Sequence, residues 1–192
     1  MQTPRYPNPR MDLKQALKEQ YHAGLAMLGE CVARCPDDLW ESGEHPRFVW
    51  RIALHAAFFG HVYLVQNEAA YSPWPDRPRG LHEEMWRDPA HVEPFELPES
   101  AEALTRGEVL KYIAYVDGIV DSTLDALDLD TDESGYRWYP STSKLSHELM
   151  NIRHIQGHVG QLSELLMARG IDIEWVGKRR PEEWTTWLKE NP

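Results

Sequence analysis

Apolar residues recur at helical spacing through four long stretches of the chain. An apolar position every three or four residues places one stripe of side chains along one face of a helix. The first predicted helix begins near Asp12, which forms a capping-box-like pair with Gln15, and it ends at Pro36. The second runs roughly from Arg47 to Ala70 and is apolar almost all round, so we expect it to be central and buried.

The third and fourth predicted helices carry clear signals at their ends. Thr105 and Glu108 form a capping box at the start of the third helix. The fourth runs from about Ser143 to Arg169, and Gly170 is a typical residue to follow a helix end. Neither an internal repeat nor strand-like alternation is present, so four long helices predict an all-α fold, a four-helix bundle.

The connection between the second and third helices, Tyr71 to Pro98, is long and rich in proline. Six of the 14 prolines fall in it, and this density prevents a long helix, although one short helical turn fits. A connection of this length can cross the whole bundle, so that the second and third helices run parallel. A short extra helix is predicted from Pro181 near the C-terminus, with Trp184, Trp187 and Leu188 on its apolar face.

Length and charge narrow the class of protein. With 192 residues, we expect a single domain over 1–192, with the bundle core at about 11–171 and an extension at 172–192. A net charge of −11 disfavours nucleic acid and anionic membranes as partners and leaves small molecules or proteins. No apolar stretch is long enough to span a membrane, and no signal peptide is recognisable, so a cytoplasmic location is expected. Cys31 and Cys35 are predicted to be small buried thiols.

Three histidines have a pattern that suits a metal ion. His154 and His158 lie four residues apart, hence about 40° apart around one helix, a spacing found in helical zinc sites and also in helices without metal. His55 lies in the middle of the most apolar helix, where an imidazole without a hydrogen-bond partner costs about 1–3 kcal/mol. A carbonyl, a hydroxyl or a metal shared with the other two rings would satisfy it. Three histidine ligands leave a position for water or substrate, as in catalytic sites.

The other six histidines fit this pattern less well. His61 lies about 120° from His55 on the same helix and is not expected to reach the same ion. His147 is two turns before His154 on nearly the same face; it is predicted to lie beside the ligands or in the pocket, with a fourth ligand as the alternative. It is also the one candidate general base, the alternative being a partly exposed histidine without a role. Four further histidines are predicted to be solvated: His22, His45, His82 and His91.

The segments that carry the three histidines resemble the DinB/YfiT-like superfamily. The stretch HIQGHVGQLSELLMARG, from His154 to Gly170, resembles the last bundle helix of that superfamily, and His55 matches the histidine of its second helix. The resemblance covers the helical parts from about Met11 to Ile171. The chain departs from the family pattern in its long connection between the second and third helices and in its C-terminal extension.

The resemblance implies a four-helix bundle with a crossover between helices two and three, a three-histidine site for zinc, nickel or a similar ion, and often a homodimer. Characterised relatives include thiol-dependent S-transferases and a mycothiol-dependent maleylpyruvate isomerase.

Two functions are therefore open for this chain. One is a metal-dependent enzyme acting on a small molecule, either an S-transferase with a low-molecular-weight thiol or a hydrolase. The other is a non-catalytic metal-binding or small-ligand-binding dimeric bundle, which a fourth protein ligand closing the site would favour. Three aromatic residues either wall the pocket or pack loops on the bundle: Trp74, Trp86 and Trp138.

Overall fold

The computed structural model describes residues 12–80 and 82–178, and all regular secondary structure within them is helical. The helices are α1 (Leu13–Arg34), α2 (Asp37–Trp40), α3 (Val49–Val62), α4 (Glu83–Arg87), α5 (Arg106–Ala126) and α6 (Lys144–Met167), with a 3-10 turn at Glu68–Ala70. The all-α prediction is confirmed for this part of the chain. None of these helices is both long and apolar enough to cross a bilayer. Residues Met1 to Met11 and the helix predicted from Pro181 lie outside the described residues.

The four long helices, α1, α3, α5 and α6, pack around one apolar core. Near the starts of α3 and α5, the indole Nε1 of Trp40 donates to the carbonyl of Leu104 at 2.8 Å. Just beyond the ends of the same two helices, the backbone N–H of Asp128 donates to Gln66 Oε1 at 2.8 Å. The starts of α3 and α5 therefore lie together, as do their ends, so the two helices run parallel and their connection crosses the length of the molecule.

The ends of the long helices follow the capping signals in the sequence. Thr105 and Glu108 form both bonds of the capping box at the start of α5. The side chains of Asp12 and Ser143 accept backbone N–H groups at the starts of α1 and α6. Gly170 adopts φ +74° just after α6, a left-handed conformation that glycine takes at no steric cost.

The second long helix is shorter than predicted, because α3 ends at Val62 rather than at Ala70. Side chains from a later part of the chain donate hydrogen bonds to the backbone carbonyls that a longer α3 would use. The Tyr136 hydroxyl donates to the carbonyls of Val62 and Val65, the latter at 3.2 Å. Lys144 Nζ donates to the same Val65 carbonyl at 2.5 Å. These long-range bonds replace intrahelical ones, and the chain turns away from the helix axis.

The proline-rich connection is irregular apart from α4, as predicted, yet it is packed against the core. Arg51 of α3 is fully buried, and its guanidinium donates to the carbonyls of Leu97 at 2.6 Å and Pro98 at 2.5 Å. Charge-assisted bonds of this kind are about twice as strong as neutral ones. They fix the end of the connection beside the start of α3.

A buried polar cluster joins α1, α6 and the turn after α3. Lys144 and Glu148 are fully buried and form an ion pair of 2.9 Å one turn apart on α6. The Tyr21 hydroxyl donates to Glu148 Oε2 at 2.5 Å, and Asn151 Nδ2 donates to the Tyr21 oxygen at 2.9 Å. Burial raises the pKa of Tyr21 well above its usual value and lowers the pKa of Lys144. The Lys144 bond to Val65 extends the cluster to the turn.

Candidate metal centre

Three histidine rings from two helices meet at their Nε2 atoms. His154 Nε2 lies 3.0 Å from His55 Nε2 and 3.0 Å from His158 Nε2. One nitrogen from each ring lies within 4.8 Å of the others, which is close enough for one ion to bind all three. The packing of α3 against α6 brings His55 to a pair whose members are one turn apart on α6.

Two of the three rings have hydrogen-bond partners that determine where their protons lie. His55 Nδ1 donates to Glu93 Oε2 at 2.6 Å, and His158 Nδ1 donates to Gln161 Oε1 at 2.8 Å. Carboxylate and amide oxygens are acceptors, so each neutral ring carries its proton on Nδ1 and a lone pair on Nε2. Metal-binding histidines have such partners, which fix both the tautomer and the ring orientation.

No arrangement of protons on the neutral rings satisfies all three Nε2 atoms. His154 can donate its one Nε2 proton to only one neighbour, which leaves the Nε2 lone pair of the other neighbour, 3.0 Å away, without a donor. His154 Nδ1 is buried without a hydrogen-bond partner among the described residues, so a proton placed there gains no bond. A cation accepts all three lone pairs at once. Zinc–nitrogen bonds of about 2.0–2.1 Å place tetrahedral ligands about 3.3 Å apart, and the observed contacts of 3.0 Å are close to this spacing.

The electrostatics of the rings favours metal over protons. Burial, with a smaller contribution from the neighbouring histidines, lowers the pKa of His154 to about 3. Burial likewise lowers the pKa of His158 to about 4. Both rings are neutral near pH 7, so protons do not compete with a metal for their lone pairs. Neutral ligands leave the charge of a divalent ion uncompensated, which favours an anion at any further coordination position.

A cavity of about 450 Å³ opens beside the three histidines. Phe59, Tyr63 and Tyr139 supply an aromatic wall, and His55 and His154 lie at its surface. The volume falls in the range of about 300–1,000 Å³ that is usual for small-molecule sites. Among residues 12–80 and 82–178, no fourth side chain joins the group able to share one ion.

The tryptophans considered for the pocket wall lie elsewhere. Trp74 and Trp86 are buried and pack against Tyr112 of α5, with ring centroids 5.2 and 5.0 Å apart. Trp138 lies behind the wall, where its Nε1 donates to the Tyr63 hydroxyl at 3.2 Å. These tryptophans therefore pack loops against the bundle, as the alternative prediction has it, and do not line the cavity.

His147 lies in the core rather than at the cavity surface. Its side chain is fully buried, so the alternative of a partly exposed histidine is wrong. The ring stacks on Tyr136 at 4.7 Å and contacts Tyr63 at 4.9 Å. Neither ring nitrogen has a hydrogen-bond partner among the described residues. Its action as a general base stays a prediction, and two residues that line the cavity, Tyr63 and Tyr139, contact its ring.

Two other buried histidines have separate partners. His61 Nδ1 bonds to the Tyr112 hydroxyl at 3.0 Å, and His61 is not part of the three-histidine group, as predicted. The prediction that His22 is solvated is wrong, because it is buried between α1 and α5. Its Nδ1 lies 2.5 Å from Asp117 and its Nε2 lies 3.0 Å from Asp121. These two aspartates lie four residues apart and therefore on one face of α5, a spacing that can be read from the sequence.

The stability of the protein is expected to fall in acid because of His61. Burial lowers the pKa of this ring from 6.5 to about 4. The unfolded chain therefore takes up the proton first, so the contribution is complete above about pH 6.5 and is lost as the pH falls towards 4. At 1.36 kcal/mol per pKa unit, the loss between pH 7 and pH 4.5 is about 2 kcal/mol. Urea unfolding of the wild-type chain and of His61→Gln at both pH values measures this loss. Between pH 7 and pH 4.5, the free energy of unfolding of the variant should fall by about 2 kcal/mol less than that of the wild type. Equal losses would contradict this assignment.

Glu93 and Phe95, which no sequence pattern predicts, bring the proline-rich connection to the three-histidine group. Phe95 stacks on the His55 ring with centroids 4.1 Å apart. Glu93 Oε2 accepts from His55 Nδ1 and also from the Phe95 backbone N–H at 3.1 Å. No periodic pattern marks these residues, because the segment that carries them is irregular.

Replacing Glu93 by glutamine is expected to weaken zinc binding about 10–100-fold. The amide can still accept the His55 proton, but it lacks the negative charge that makes this ring a stronger ligand. Competition with a chromophoric zinc chelator measures the affinity. Glu84→Gln removes the same charge from an exposed position in the same connection and should leave the affinity unchanged. Wild-type affinity in the Glu93 variant would show that this carboxylate does not support the ligand.

Comparisons with protein families, with curated proteins and with solved structures gave no match to this chain. Its function is therefore inferred from the chemistry of the site.

Proposed function

We propose that this chain is a metal-dependent enzyme that holds one divalent ion through His55, His154 and His158. The observation that carries the proposal is the convergence of three Nε2 atoms, with contacts of 3.0 Å that no arrangement of protons on neutral rings satisfies. Zinc and nickel are the ions we expect first, because imidazole ligands suit both.

The proposal includes a single domain with the four-helix bundle of the DinB/YfiT-like superfamily. The parallel α3 and α5, joined by a connection that crosses the molecule, support this topology. A homodimer in the cytoplasm is the assembly and location that we expect for it.

The side chains around the proposed ion have two roles: some orient its ligands, and others line the cavity. When bound, the ion lowers the pKa of a coordinated water or thiol and can polarise a carbonyl. Glu93 orients the His55 ring through its bond to Nδ1. Phe59 and Tyr139 offer apolar surface to a small substrate.

Two reaction classes fit this arrangement: S-transfer from a low-molecular-weight thiol, and hydrolysis. Both need an anionic nucleophile, thiolate or hydroxide, and a divalent ion held by His55, His154 and His158 would favour that ionised form. The lack of a fourth protein ligand within the described ranges favours an enzyme over a closed structural site.

The test begins with the metal content of the chain, purified without a metal-affinity tag. Elemental analysis should give about one zinc or nickel per chain. The cobalt-substituted protein should then gain a thiolate-to-cobalt absorption band when 2-mercaptoethanol is added, or change its visible spectrum near neutral pH as bound water ionises. Absence of bound metal refutes the proposal. Bound metal whose spectrum responds to neither thiol nor pH would identify the non-catalytic alternative.

A further inference from the structure

Arg153 lines the cavity beside the metal centre without a partner of its own. It lies on α6 immediately before His154, and its side chain is exposed. Within residues 12–80 and 82–178, no hydrogen bond, ion pair or ring contact occupies its guanidinium. The chain holds 31 acidic and 20 basic residues, so acidic partners are plentiful elsewhere, as in the 2.6 Å pair of Arg169 and Asp38.

The acidic residue of the cavity wall does not serve as that partner. Glu93 Oε2 already accepts two N–H groups, from His55 and from Phe95. A positive charge that faces a cavity and forms no ion pair with the neighbouring carboxylate is free to bind an anion that enters from solvent.

The shape and charge of the cavity indicate which anion. A guanidinium presents two parallel N–H groups that match the two oxygens of a carboxylate. Glu93 places a negative charge in the same wall, which disfavours a dianion such as a phosphate ester. The remaining wall, formed by Phe59, Tyr139 and Met150, offers apolar surface.

We infer that the cavity binds a small organic carboxylate whose acidic group pairs with Arg153. The apolar body of this ligand lies against the aromatic wall, and its reactive end points to the three-histidine centre, so the inference rests on the proposed function. Arg153 is a positioning residue: it selects substrates by charge and sets their orientation, and it takes no part in bond making.

The binding of two isosteric probes to the metal-loaded protein tests this inference. Isothermal titration with 3-phenylpropionate and with 3-phenylpropionamide compares a carboxylate with its neutral amide. We expect the wild-type chain to prefer the carboxylate by about 10-fold or more, since a bond between charged groups is replaced by a neutral one. Arg153→Gln should lose this preference, while Arg79→Gln, which removes an exposed charge that does not line the cavity, should keep it.

Each other outcome overturns the inference. A preference that survives in Arg153→Gln would place the carboxylate on the metal instead. Equal or undetectable binding of both probes to the wild-type chain would leave no acid-selective site. Tighter binding of 2-phenylethylphosphonate than of the carboxylate would assign the site to dianions. Metal content measured on the same samples reports failure of the proposed function separately, because it does not depend on either probe.

Discussion

Replacing His154 by alanine is expected to lower zinc affinity more than about 100-fold, which corresponds to about 2.8 kcal/mol. His154 Nε2 is the atom that lies 3.0 Å from both other ligand nitrogens, so its loss leaves two rings from separate helices. At a free zinc concentration of 1,000 times the dissociation constant, the wild-type fold gains about 4 kcal/mol from the ion. The variant should gain little more than about 1 kcal/mol at the same concentration. Urea unfolding with zinc and with EDTA measures both gains.

The control for this variant is His91→Ala. The His91 side chain is 66% exposed and lies outside the three-histidine group, so this change should leave the zinc-dependent gain intact. If His154→Ala keeps about one metal per chain and the full gain, the assignment of the ligands is wrong.

Replacing Glu148 by glutamine is expected to lower the free energy of unfolding by about 3–5 kcal/mol. The change leaves the ammonium group of Lys144 in the core, where it is fully buried, without its counter-charge at 2.9 Å. It also weakens the bond that the Tyr21 hydroxyl donates at 2.5 Å. Since a whole domain has about 5–15 kcal/mol of stability, this single change should move the urea midpoint far to lower concentration at pH 7.

A double variant separates the cost of leaving one buried charge unpaired from the cost of changing the packing of the two side chains. Lys144→Met combined with Glu148→Gln removes both charges and should recover more than half of the loss, because no isolated charge remains buried. Glu164→Gln, at an exposed position of the same helix, should change stability by less than about 0.5 kcal/mol. A cost below about 1 kcal/mol for Glu148→Gln alone would mean that the pair is not ionised in the core.

The parts of the site that one helix determines could be predicted from the sequence. His154 and His158 share a face of α6 because four residues make about one turn, and their Nε2 atoms do meet at 3.0 Å. His55 required a further argument from burial, and the structure brings it to the pair. Glu93 could not be predicted, because its position depends on the path of an irregular connection rather than on any period.

The errors have a common physical origin in long-range side-chain contacts. The predicted end of α3 is too late because the hydroxyl of Tyr136, more than 70 residues away, bonds to the carbonyls that would continue the helix. The prediction of a solvated His22 fails because its partners, Asp117 and Asp121, lie on another helix and cannot be assigned to it from the sequence. Periodicity reports which face of a helix is apolar, and it contains no information about what approaches that face.

The distance along the chain between His55 and His154 would decide when the proposed ion can be captured during synthesis. The two ligands are 99 residues apart, and two of the three imidazoles belong to the last long helix that the structure describes. A growing polypeptide emerges from the ribosome N-terminal end first, so it offers a single imidazole of the set for most of its elongation. Binding of the proposed ion would then be a late event in biogenesis, and an ion held at full affinity would mark a chain in which α3 and α6 have already packed together.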